Sequence, residues 1–138
     1  METLINYLAV LVGGIAVIAI GALWYSPLLF GKQWVKLSGI TEEKIRTAKA
    51  KGMAKAYILQ FLFALLSVYV LAHLSAVQGV STVSGIWSLV FWVWLGFQVP
   101  IQIGSVLWEN KPFQLFVLNA FHGLVALLGA GIALVLIR

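Results

Sequence analysis

Gly21-Ala-Leu-Trp-Tyr-Ser-Pro-Leu-Leu-Phe-Gly-Lys-Gln-Trp34 is the stretch on which the reading of this chain turns. A long apolar run enters it, a proline stands in its middle, and the first lysine of a basic segment falls near its end. Pro27 removes a helical hydrogen bond, and Gly31 is a natural helix stop. Trp24, Tyr25 and Trp34 have rings that are apolar in body and polar at the tip, which places them at a membrane–water interface. The stretch reads as a helix leaving a bilayer.

The rest of the chain agrees. Of its 138 residues 62% are hydrophobic and only 9% charged, where a water-soluble domain carries about 25% charged residues. Mean hydropathy is +1.04. Four apolar runs reach the roughly 20 residues that a membrane-spanning helix needs. They cover about 4–29, 53–75, 84–108 and 113–137, with a loop at 32–52. The expected fold is all-α, a single transmembrane domain built as a bundle of four helices. Met1-Glu2-Thr3 lacks the basic start of a removable signal, so the first run is expected to stay as a span.

The loop carries its own helix signal. Thr41 is a good N-cap, Glu42 and Glu43 suit a helix N-terminus, and basic residues follow toward Gly52. A short amphipathic helix is expected over 42–51, lying near the membrane surface with a thin apolar face at Ile45 and Ala48.

Charge placement sets orientation. Lys32, Lys36, Lys44, Arg46, Lys49, Lys51 and Lys55 crowd into one segment, leaving Lys111 and Arg138 elsewhere. A net charge of +5 could point to nucleic acid, but one juxtamembrane cluster is the signature of cytoplasmic orientation and of contact with anionic lipid headgroups. Lys32, Lys36, Arg46, Lys49, Lys51 and Lys55 are the expected headgroup contacts, and no nucleic-acid partner is expected. Both termini and the 76–83 link then face outward, while the 109–112 turn joins the basic loop inside.

The chain has no cysteine and no aspartate, and Glu2, Glu42, Glu43 and Glu109 all avoid the middle of the apolar runs. Disulfides and thiolate chemistry are excluded, and most carboxylate catalysis with them. No metal site is expected, since neither cysteines nor buried carboxylates join the histidines. No cofactor is expected either. A haem held by His73 and His122 would have to bridge roughly 15 Å of depth at 1.5 Å per residue.

The polar residues inside the runs converge. Given the topology, Gln60, Gln98, Gln102, Ser105, Asn119 and His122 lie in the cytoplasmic half. Gln98, Gln102, Ser105 and Glu109 step by 4, 3 and 4, which is one face of a helix. Asn119 and His122 continue to Ala126, Gly129 and Ala133 on a face that is polar low down and small high up. Two readings stay open. The polar groups bind helices together, at roughly 0.6 kcal/mol each and at most about 2, or they line a partly hydrated path or pocket. For His122 the choice is between sharing hydrogen bonds with Asn119 or Gln98 and a role in proton relay or ligand contact. Pro100, between the two glutamines, frees a carbonyl in this layer. Trp24, Tyr25, Ser26, Pro27 and Glu109 form the expected cytoplasmic mouth.

Several motifs resemble one family. Gly21 to Trp34 with Gly39-Ile-Thr-Glu-Glu43, then Met53-Ala-Lys-Ala56, Trp94-Leu-Gly-Phe97 with Pro100, Trp108-Glu109 and Phe116-x-x-Asn119 are similar to the bacterial membrane proteins grouped as domain of unknown function 1761. The resemblance covers nearly the whole chain. It implies a small four-helix protein of a bacterial inner membrane with no assigned activity. A chain this small, with one small-residue helix face and one polar face, is expected to form a homo-oligomer. The functional expectation is a channel- or carrier-like protein with the polar layer as its path, of unknown substrate. The alternative is a non-catalytic scaffold that binds lipid or a protein partner. An intramembrane enzyme comes third, weakened by the missing Asp, Cys and buried Glu.

Overall fold

The computed structural model describes residues 5–137. Leu4, where the first span was expected to begin, lies outside the described residues, as do Met1, Glu2, Thr3 and Arg138. The described residues form six helices and no strand: α1 Tyr7–Trp24, α2 Gly31–Ser38, α3 Glu42–Lys51, α4 Ala54–Val77, α5 Val83–Leu107 and α6 Phe113–Leu136. Of these α1, α4, α5 and α6 are long and apolar enough to cross a membrane. The protein is a polytopic all-α membrane protein.

Helix α6 is the centre of the bundle. It packs along α1 on one side and α5 on the other, while α4 lies mainly against α1. Small residues set how closely these helices approach. A Cβ on Gly13 would lie 2.7 Å from Val68 of α4 and 3.5 Å from the Ala130 carbonyl of α6. Gly129 makes room for Ile20 of α1, and a Cβ on Gly131 would lie 2.5 Å from Ile86 of α5. Gly129, on the small-residue face of α6, thus packs within the chain. Val10, Val68, Ile86, Val90, Leu127 and Ala130 fill the core at this level. Asn6 ties the same end: its Oδ1 accepts from Ala9 N–H at 3.2 Å, and its Nδ2 donates to the Ile137 carbonyl at 3.2 Å. Leu62, Phe63, Leu66, Phe97 and Ile101 remain exposed, as they should where the surrounding solvent is lipid.

The first span is shorter than the sequence implied. It stops at Trp24, not near Leu29, and residues 31–38 are helical instead of loop. Pro27 stands in a tight reversal in which the Ser26 carbonyl accepts from Leu29 N–H at 3.1 Å and Gly31 N–H at 2.9 Å. The Leu23 carbonyl, past the last intrahelical bond, accepts from the Ser26 hydroxyl at 2.6 Å and the Ser26 N–H at 3.2 Å. Gly31 opens α2 because the chain crosses itself there: a Cβ would lie 2.5 Å from the Tyr25 carbonyl oxygen. Helix α2 ends at Gly39 with φ +75°, and α3 ends at Gly52 with φ +84°, conformations in which glycine carries no steric penalty.

Helix α5 contains a wider turn. Over Trp94–Gln98 the backbone is a π-turn, closed by Val99 N–H donating to the Trp94 carbonyl. Pro100 follows at once; its ring would crowd the carbonyl four residues earlier in a regular helix. In an ideal α-helix each four-residue step overshoots a full turn by about 40°. The π-turn cancels one overshoot, so Trp94, Gln98 and Gln102 stay on one face.

Candidate functional site

The polar cluster is assembled at the junction of α1, α5 and α6, in the half of the bundle next to the basic segment. From α6, Asn119 accepts a 2.7 Å hydrogen bond at Oδ1 from the Tyr25 hydroxyl, which α1 delivers just past its last turn. One turn further along α6, His122 stacks obliquely on Tyr25, with ring centroids 5.0 Å apart, and approaches Trp24 at 6.1 Å. Its Nε2 reaches across to Gly21, where a Cβ would stand 3.3 Å away. From α5, the Gln98 amide lies against Gly123 of α6, in space that any side chain at 123 would take. Trp94 clamps the same two helices by donating its Nε1–H to the buried Ala120 carbonyl at 2.5 Å.

The cluster is not self-sufficient. Trp24 Nε1, Gln98 Oε1, Gln102 Oε1 and His122 Nε2 are buried, and none has a hydrogen-bond partner among the described residues. Each such atom costs about 1–3 kcal/mol when left unmatched. One is a donor, two are amide oxygens, and the imidazole nitrogen serves either way according to its tautomer. The set offers hydrogen bonds of both senses and carries no carboxylate or ammonium group. Among the described residues no three His, Cys, Asp or Glu side chains come together as metal ligands.

Not every expected residue arrives. Gln60 is exposed on α4. The Ser105 hydroxyl turns back on its own helix, donating to the Gln102 carbonyl at 3.0 Å. Glu109 is exposed in the turn between α5 and α6, and Pro27 is exposed in the reversal. Lys32, Lys36, Arg46, Lys49, Lys51 and Lys55 are all exposed. His73 is exposed on α4. What the sequence reading missed is the steric side of the site: Gly21 and Gly123, which admit His122 and Gln98, and Trp94, which fixes α5 on α6. The only sequence hint was that Gly123 follows His122 directly.

A concavity of about 610 Å³ lies on the outside of this junction, between α2 and α6, with Trp24, Phe30, Lys36, Phe121 and Val125 among its walls.

No curated protein and no solved structure matches the chain. A family model matches residues 8–135, nearly its full length, and the chain belongs to that family, described as Protein of unknown function (DUF1761).

Proposed function

We propose that the protein is a carrier-like membrane protein that accepts a small uncharged hydrogen-bonding solute, or water, at the layer formed by Trp24, Gln98, Gln102, Asn119 and His122. The observation that carries this reading is the set of four buried polar atoms on three helices without protein partners. Groups recruited only to bind helices together would spend their hydrogen bonds on one another, as Tyr25 and Asn119 do. A solute with both donors and acceptors satisfies the remainder. The charged side chains of the basic segment are exposed and outside the layer, which favours a neutral solute over an ion.

The other half of the bundle favours a carrier over an open channel. Beyond His122, α1 meets α4 closely at Gly13 and Val68, and α6 meets α5 closely at Gly131 and Ile86. A solute would cross only if α1 or α5 shifted against α6, and the π-turn in α5 is an element that tolerates such a shift. The basic segment orients the layer toward the cytoplasm by the positive-inside rule.

Flux through liposomes is the test. Wild-type protein is expected to speed the entry of urea- or glycerol-sized solutes or water above that of empty vesicles. Gln102→Leu and His122→Phe are each expected to reduce the rate at least about tenfold, the loss of roughly 1.4 kcal/mol of stabilisation along the path. If no solute, water or proton moves, or if both variants conduct as the wild type does, the reading is wrong. The scaffold alternative then takes its place.

A further inference from the structure

We propose that the groove between α2 and α6 holds one anionic phospholipid, its phosphate at Lys36 and one acyl chain lying along α6 toward Val125. This goes beyond the solute layer and does not depend on it. The groove is chemically graded. Gln33 and Lys36 of α2 and Gln114 of α6 are its polar walls, and Val117, Phe121 and Val125 follow Gln114 along α6. No acidic residue is among its walls. Lys32, one turn before Lys36 and exposed, adds a second positive charge nearby.

Its length matches one leaflet. From Gln114 to Val125 the helix rises about 16 Å at 1.5 Å per residue, and half of a hydrocarbon core is about 15 Å. A volume of about 610 Å³ falls within the range of roughly 300–1,000 Å³ typical of small-molecule clefts. A water-soluble anion would use the Lys36 end and leave the apolar wall uncovered. A zwitterionic lipid would cover the wall but gain less from the lysines. An anionic phospholipid does both. The seat itself depends on the reversal at Pro27 and Gly31, which lays α2 against the start of α6.

Native mass spectrometry of the full chain, released from detergent after exposure to equal amounts of phosphatidylglycerol and phosphatidylcholine, tests this. The expected result is one retained phosphatidylglycerol per chain in preference to phosphatidylcholine. Lys36→Gln should lower that preference about fivefold, the equivalent of about 1 kcal/mol for one basic residue at a membrane surface. Val125→Trp, at a partly exposed position that tolerates size, should fill the apolar end and remove retention of both lipids. Lys44→Gln, on α3 and outside the groove, should change neither. Equal retention of the two lipids by the wild type would overturn the proposal. So would undiminished retention in both groove variants, or a loss in Lys44→Gln as large as in Lys36→Gln.

Discussion

Gly31→Ala is expected to destabilise the protein by about 3 kcal/mol, the upper part of the range for forcing atoms into a packed site. The added methyl would lie 2.5 Å from the Tyr25 carbonyl oxygen and 2.7 Å from the Ser26 carbonyl carbon. Both are backbone atoms, so no side-chain rotation relieves the contact. Relief requires opening the reversal, which breaks the bond from Gly31 N–H to the Ser26 carbonyl and draws α2 away from α6. Tyr25 lies inside the same reversal, so its hydrogen bond to Asn119 is lost with it. Gly39→Ala is the instructive contrast. Nothing lies within 4 Å of a Cβ there, but φ is +75°, so the cost is only the backbone penalty of about 1–2 kcal/mol. Thermal unfolding in detergent of the two variants should show Gly31→Ala with the larger loss, together with faster proteolysis between residues 25 and 53. Equal midpoints would mean that the reversal is looser than described.

Gly123→Ala should separate function from stability. Its methyl would meet the Gln98 amide, the free end of a flexible side chain, which can swing aside. Replacing glycine by alanine inside a helix gains about 1 kcal/mol of helix propensity, and displacing an amide oxygen that has no protein partner breaks no hydrogen bond. Thermal stability should therefore hold or rise. Solute flux should fall at least about tenfold, because the layer loses one of the two acceptors that α5 contributes. A structural role for Gln98 predicts the opposite pattern, with lower stability and unchanged flux. Measuring both quantities on the same preparation decides between them.

The membrane fold was legible in the sequence because its cause is compositional. Runs of this length and apolarity have no other stable solvent, and the short turn at 109–112 leaves α5 and α6 little choice but to pair. The reversal was less legible. Gly31 and Pro27 are both helix-ending signals, and here they close one helix and open the next. The periodic spacing of Phe30, Trp34 and Leu37 against Lys32 and Lys36 was present in the sequence, yet a basic segment read as a loop concealed it. The π-turn had a single local sign, Pro100, which announces an irregularity without saying whether the helix kinks or widens.

Within the site, the meeting of α5 and α6 at Gln98 and Gly123 agrees with the convergence read from the sequence, while the facing of Gln60 was not readable. Asn119 and His122 lie on the helix at the centre of the bundle, where every face meets protein or the groove, so polar residues there meet other helices. Gln60 lies on α4, which touches the rest mainly through α1, and its face is outward. The apolar pattern of α4 runs almost without a break around the helix, so no periodicity marked which side Gln60 would take. Pairings such as Gln98 with Gly123 follow from the space between two helices, which one chain's sequence does not encode locally.

Cysteine accessibility tests most directly whether the layer borders water. The chain contains no cysteine, so Gln98→Cys, Gln102→Cys and Asn119→Cys each report from a single site. Thiosulfonate reagents attack the thiolate, which forms only where water reaches the sulfur. In membrane vesicles these three positions are expected to react with a small hydrophilic reagent applied on the side of the basic segment, at least about tenfold faster than Leu62→Cys and Ile101→Cys on the exposed apolar surface. If the three layer positions react as slowly as those two, the polar atoms face a dry, packed interior, and the carrier account is contradicted.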